Sequence, residues 1–263
     1  MPFQDAGALR YYTFESLSRF PVTHAIFTRH GGLSEGPYAE LNVGATVGDE
    51  RAHVDKNLEL TFAAVDMRRS SLFDSWLVHG TDTLIAEAPR PPEWKRPPKA
   101  DIVLTNKPGV TLFMRYADCV PIVYYDPVNK AVGLAHAGWR GTLQHVAAKA
   151  IETMSTQFGS RAQDLFVCIG PAISAERYEV GVGVLDGVRS VFGAAAKGLL
   201  PRFNSSPHFD LVAANRVTLE EAGVEQIDVA DLCTATHTED WFSHRASGGL
   251  TGRFGALIAL DQV

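Results

Sequence analysis

Short runs rich in β-branched and aromatic residues dominate the pattern along this chain. They lie at residues 25–28, 75–78, 83–86, 102–105, 111–116, 121–126, 131–136, 165–169, 227–229 and 254–260, and each predicts a strand. Residues 50–65, 142–158, 184–195 and 210–222 instead place apolar side chains every three or four positions, the spacing of a helix with one buried face. Gly223 follows the last of these and suits a helix C-terminus. Strands outnumber helices and do not alternate with them strictly. The pattern therefore predicts an α+β fold, a single domain over residues 1–263 with mixed β-sheets flanked by helices, and not a doubly wound parallel sheet.

Residues 88–98 interrupt the pattern with five prolines, which fit neither a helix interior nor a central strand. An extended surface loop within one domain is expected there, because the residues with chemical potential lie on both sides of it.

Composition narrows the function classes. The chain has 263 residues, 46% hydrophobic and 21% charged, with a net charge of −6. Such a balance gives no electrostatic reason to expect nucleic acid or an anionic membrane as partner. Bound anions would instead need local clusters of arginine. Cys119, Cys168 and Cys233 are too few, and odd in number, for a disulfide framework. No signal peptide and no membrane span are evident, so a cytoplasmic protein is expected.

Three short runs each carry one metal-ligand type of side chain: Val78-His79-Gly80, Ala117-Asp118-Cys119-Val120-Pro121 and His136-Ala137-Gly138-Trp139-Arg140-Gly141. Two histidines and one cysteine form a three-ligand set for a catalytic zinc, which leaves a fourth position for water or substrate. No pairwise spacing matches a zinc finger, so these ligands have to meet through tertiary structure. Asp118 could orient one of them. His136 closes a strand, and a helix expected to begin near Thr142 would aim free N–H groups toward it, a natural place for an anion such as phosphate. The Gly-rich run Arg29-His30-Gly31-Gly32-Leu33-Ser34 lacks the Gly-Lys-Ser/Thr ending of a P-loop. It could form a wall of a ligand pocket, with Arg29 and Ser34 as donors.

The wording of these runs resembles the YfiH/laccase-domain family of purine nucleoside phosphorylases. The resemblance continues through Leu41-Asn42-Val43-Gly44, Ile169-Gly170-Pro171-Ala172-Ile173, Phe242-Ser243-His244-Arg245 and Thr251-Gly252-Arg253, in order along nearly the whole chain. It implies that His79, Cys119 and His136 bind Zn2+ at the active site. It also implies phosphorolysis of adenosine, inosine, guanosine and methylthioadenosine, together with deamination of adenosine. Purine nucleosides and phosphate would be the partners, with Arg29, Ser34, Asn42, Arg140, Arg245 and Arg253 on the substrate side, since guanidinium matches an oxyanion in bidentate fashion. Two positions depart from the family pattern: Leu77 stands where Gln is frequent, and Tyr116 where Thr is frequent.

Other readings of the same residues remain open. Cys119 could be the nucleophile of a metal-free hydrolase, with His79 or His136 as base and Asp118 as orienter. Cu2+ could occupy the three-ligand site by affinity alone. A copper-dependent polyphenol oxidase, however, would want His-x-His pairs, and the chain has none. A binding or editing role on peptidoglycan precursors is the non-enzymatic alternative.

Overall fold

The computed structural model describes residues 2–94 and 96–261. Two six-stranded sheets form its centre. The first has the order β1-β2-β3-β14-β7-β4, built from Phe3–Ala6 (β1), Leu9–Tyr12 (β2), Val22–Phe27 (β3), Phe254–Leu260 (β14), Thr111–Tyr116 (β7) and Leu72–Asp74 (β4). The second has the order β13-β10-β8-β9-β6-β5, built from Gln226–Val229 (β13), Phe166–Ile169 (β10), Val120–Asp126 (β8), Ala131–Ala137 (β9), Ile102–Thr105 (β6) and Thr83–Ile85 (β5). Both sheets are mixed: β4 runs parallel to β7, β5 to β6 and β10 to β13, and the other pairs are antiparallel. A two-stranded hairpin, Arg202–Phe203 (β11) with Ser206–Pro207 (β12), stands apart.

Side-chain alternation explains how the layers stack. In β9, Val132 and Leu134 join a core shared with Leu112, Met114 and Ile258 of the first sheet. Ala131, Ala135 and Ala137 point the other way, into a core with the helices Val146–Phe158 (α3), Val182–Phe192 (α4) and Leu211–Glu221 (α6). All seven residues of β9 are buried, as befits a strand covered on both faces. The far face of the first sheet packs Phe113 and Leu257 against Leu58 and Phe62 of the helix Arg51–Ala63 (α1). The result is four layers, α1, sheet, sheet and the remaining helices, which gives the α+β class expected of the pattern.

Several expected elements are displaced. The strand expected at 75–78 is instead the short β4, ending at Asp74. Trp76 keeps only an isolated bridge to Lys99. The helix expected over 142–158 is two: Trp139–Leu143 (α2), which starts earlier, and α3. They are separated by His145 in the left-handed region at φ 56°. No glycine or proline marks that break. A short helix, Ala196–Leu199 (α5), follows α4, and the N-terminal hairpin β1-β2 was not expected. The proline-rich segment lies between β5 and β6, which are neighbours in one sheet, so it does not link the two sheets. No helix among the described residues is long and apolar enough to cross a membrane.

Candidate active site

Cys119 lies in the turn from β7 to β8, His136 near the end of β9, and His79 in the segment before β5. These three carry their ligand atoms to within 4.8 Å of one another. Among the described residues this is the one group of three or more His, Cys, Asp or Glu side chains so placed. Exposure is graded across it: His136 is buried, Cys119 half-buried and His79 exposed, so the cluster opens to one side. The two imidazoles meet edge to face, with centroids 4.9 Å apart.

One carboxylate organises both imidazoles. Asp101, fully buried at the mouth of β6, accepts from His136 Nδ1 at 2.8 Å. The same carboxylate accepts the backbone N–H groups of Val78, His79 and Gly80 at 3.0, 3.0 and 2.8 Å. It thereby stabilises a turn in which His79 sits at φ 61°, a conformation few side chains adopt. The Asp101 carbonyl also accepts the His136 N–H at 2.8 Å. With Nδ1 occupied, the ring nitrogen left for the cluster is His136 Nε2. A carboxylate behind a ligating imidazole is the usual support of a metal site.

Gly138 completes the cradle. A Cβ there would stand 2.9 Å from His79 Cδ2 and 3.0 Å from Cys119 Sγ, so the backbone approaches the ligands more closely than any other residue would allow. Electrostatics favours charged ligands. Burial pushes the Cys119 thiol up, but the His136 charge and hydrogen bonds from His136 and His79 outweigh it and bring it down to about 6. His136 is pushed down by burial and up more strongly by Cys119 and Asp101, to about 9. Cys119 and His136 are thus a thiolate beside an imidazolium, and a borderline cation that displaces the His136 proton meets one thiolate and two imidazoles.

The cluster forms part of the wall of a cavity of about 810 Å³. Residues 23–261 match the family described as multi-copper polyphenol oxidoreductase laccase. The chain belongs to this YfiH/laccase-domain family. It is 37% identical over 247 residues to a purine nucleoside phosphorylase of Deinococcus radiodurans, covering 92% of this chain and 90% of that protein. It is 34% identical over 235 residues to the purine nucleoside phosphorylase YfiH of Escherichia coli, covering 89% and 91%. Among solved structures, YlmD from Geobacillus stearothermophilus superposes with a TM-score of 0.91 at 31% identity, covering 99% of both chains. The Bacillus licheniformis hypothetical protein YfiH does so at 0.90 and 30% identity, again covering 99% of both.

Seen in this YfiH-type fold, the remaining candidate residues divide in two. Arg140, Arg245 and Arg253 line the cavity with the cluster. Arg140 stacks on Trp139, and Arg245 lies over the Tyr178 ring while donating to the Glu179 carbonyl. Burial lowers the Arg253 pKa while Cys119 and Asp118 raise it, which places that guanidinium in the field of the cluster. Arg29, Ser34 and Asn42 do not line the cavity. Arg29 donates to the carbonyls of Ala39 and Thr238 and packs on Phe242. Ser34 donates to Asp49 and accepts from Asn57. Asn42 Oδ1 accepts the N–H of Gly44 and of Arg253, each at 2.8 Å, so it positions Arg253 through the backbone.

Asp118 lies next to Cys119 in sequence, yet its oxygens point elsewhere. They accept from Thr234 Oγ1 at 2.7 Å and from the Arg245 N–H at 2.6 Å, so it holds the Arg245 loop and bonds neither imidazole. The imidazole-orienting carboxylate is Asp101, which the motifs did not single out. Its only sequence signal is an acidic residue at the entry to an apolar strand, Ile102–Thr105. The helix end expected to face an anion is also shifted: α2 starts at Trp139 behind Gly138, not near Thr142. Of the two departures from the family pattern, Leu77 lines the cavity, whereas Tyr116 is fully buried with its hydroxyl on the Ala135 carbonyl.

Proposed function

We propose that this chain is a zinc-dependent purine nucleoside phosphorylase of the cytosol, acting on adenosine, inosine, guanosine and methylthioadenosine and also deaminating adenosine. The observation that carries the reading is the His79–Cys119–His136 cluster on the wall of one large cavity. The names of the relatives support the reaction class. All three cysteines are free thiols, which suits a reducing compartment.

His79, Cys119 and His136 would hold the ion, and their donor set fits it: two imidazoles and one low-pKa thiol, drawn together and supported by Asp101. Bound zinc supplies a Lewis acid beside the substrate. The protein's own groups do the rest. Arg140, Arg245 and Arg253 bind phosphate and ribose oxygens, since each presents a fork of N–H donors. Asp118 positions Arg245, and Asn42 positions Arg253. Arg29 and Ser34 brace the loop behind them. Trp139 and Tyr178 offer apolar walls to a purine.

The deciding experiment incubates metal-quantified protein with adenosine, with and without phosphate, and resolves the products by chromatography. Adenine and ribose 1-phosphate that appear only with phosphate, at about one zinc per chain as a three-ligand site requires, are the expected result; inosine reports the deaminase. Cys119→Ala should lose both zinc and turnover while its circular dichroism stays that of the parent. Full turnover by that variant would refute the assignment of the site.

A further inference from the structure

The cavity is larger and more basic than the cluster needs. At about 810 Å³ it sits toward the upper end of the roughly 300–1,000 Å³ span of small-molecule sites. Away from the cluster its wall is formed by the start of α1, the end of β4 and the outer face of β7. Arg51, Arg69, Arg90, Arg96 and Arg115 line this part, against the two carboxylates of Asp55 and Asp74.

Each carboxylate is shared by two guanidiniums. Asp74 is almost fully buried, and it accepts from Arg90 and, at 2.8 Å, from Arg115. Asp55 accepts from Arg51 at 2.7 Å and from Arg69 at 2.8 Å. At Asp74, one negative charge between two positive ones leaves a positive charge uncompensated, whereas at Asp55 the second guanidinium, Arg69, also lies 3.8 Å from Glu59. The shared carboxylates also fix the direction of the guanidiniums, so their remaining N–H donors are oriented before any ligand arrives. Arg115 is further anchored by donating to the Val43 carbonyl at 2.7 Å.

A second observation lies beside Asp74. Ser75 lines the same cavity and is more than nine-tenths buried; its hydroxyl has no hydrogen-bond partner among the described residues and is itself covered, so a ligand reaches it only once the side chain turns. Buried hydroxyls are normally satisfied. A fixed cluster of guanidiniums with an unused hydroxyl is the recognition chemistry of a phosphoryl group.

The geometry points to a second anion subsite, at Arg69, Arg90, Arg115 and Ser75, that takes the phosphoryl group of a purine nucleoside monophosphate. The base and sugar of that ligand fill the part of the cavity nearer His79, Cys119 and His136. The purine half of this assignment rests on the function proposed above; the phosphoryl half rests on the arginine wall alone. Inorganic phosphate is the other source of the same chemistry.

The test is calorimetric titration of the full, zinc-quantified chain with adenosine 5′-monophosphate, adenosine and inorganic phosphate in turn. Arg69→Gln and Arg90→Gln each leave one guanidinium on the shared carboxylate, which protects the fold, and Ser75→Ala is a milder third variant. Expected is a monophosphate that binds at least about tenfold tighter than adenosine, an advantage lost in the arginine variants while adenosine affinity holds. Monophosphate affinity equal to that of adenosine, or unchanged in the arginine variants, overturns the subsite. Free phosphate that binds as tightly as the monophosphate, with the same dependence on the arginines, replaces the nucleotide with the free ion. If adenosine fails to bind at all, the purine reading falls, while phosphate binding weakened by Arg69→Gln and Arg90→Gln still upholds the arginine wall.

Discussion

Asp101 and Asp118 are two buried carboxylates beside the same three ligands, and they do different work. Asp101 faces inward: it grips His136 through the ring and wraps the 78–80 turn around itself. Asp118 faces outward, to Thr234 and to the backbone of Arg245. The first sets where the ligands stand, and the second sets where the loop across the cavity stands. Proximity in sequence is a poor guide to which is which. Asp118 adjoins Cys119, whereas Asp101 lies 35 residues from His136.

This contrast can be broken by experiment. Asp101→Asn should have the largest effect, lowering zinc affinity by about 10–100-fold, the usual result of losing a carboxylate behind a ligating histidine. Metal titration against a chelator reads it directly, and an unchanged zinc affinity would remove Asp101 from its organising place. Asp118→Asn should instead leave zinc content alone and raise the KM for phosphate or nucleoside several-fold; zinc loss equal to that of Asp101→Asn would erase the distinction.

The same contrast has a pH signature in protein stripped of metal. Cys119, lowered to about 6, contributes stability above its unfolded value, and this is lost as pH falls through about 6. His136, raised to about 9, contributes stability below its unfolded value, and this is lost as pH rises through about 9. Across the span from about 6 to about 9 one contribution grows as the other fades, so the melting temperature of the stripped chain should stay nearly level there, and His136→Gln should raise the pH at which the Cys119 thiolate forms, read by its ultraviolet absorbance. The smallest effect belongs to Thr234→Val, which removes one bond to Asp118 and should cost about 1 kcal/mol by chemical denaturation.

Much of this was legible in the chain itself, for physical reasons. The strands β6, β7, β9 and β14 were predicted at or within a residue of their ends, because fully buried strands are dense in β-branched and aromatic residues. The three ligands were legible because each lies in a short, distinctive run. Arg115 was not, because a charged residue inside a strand reads as a solvent-facing position, whereas here it sits on the outer face of its sheet, anchored to Asp74 and Val43. Asp101 was hidden by the long separation of its partners. The break at His145 was hidden because the left-handed conformation fell on a residue with no turn signature.

Gly138 has a use beyond architecture. Because a methyl group there would press on His79 and on the Cys119 sulfur together, Gly138→Ala would displace the ligands without removing one of them. All the nitrogen and sulfur donors would remain in the chain, yet the space between them would be spoiled. That variant should therefore weaken zinc binding with every donor still present, a loss that metal titration against a chelator reads directly.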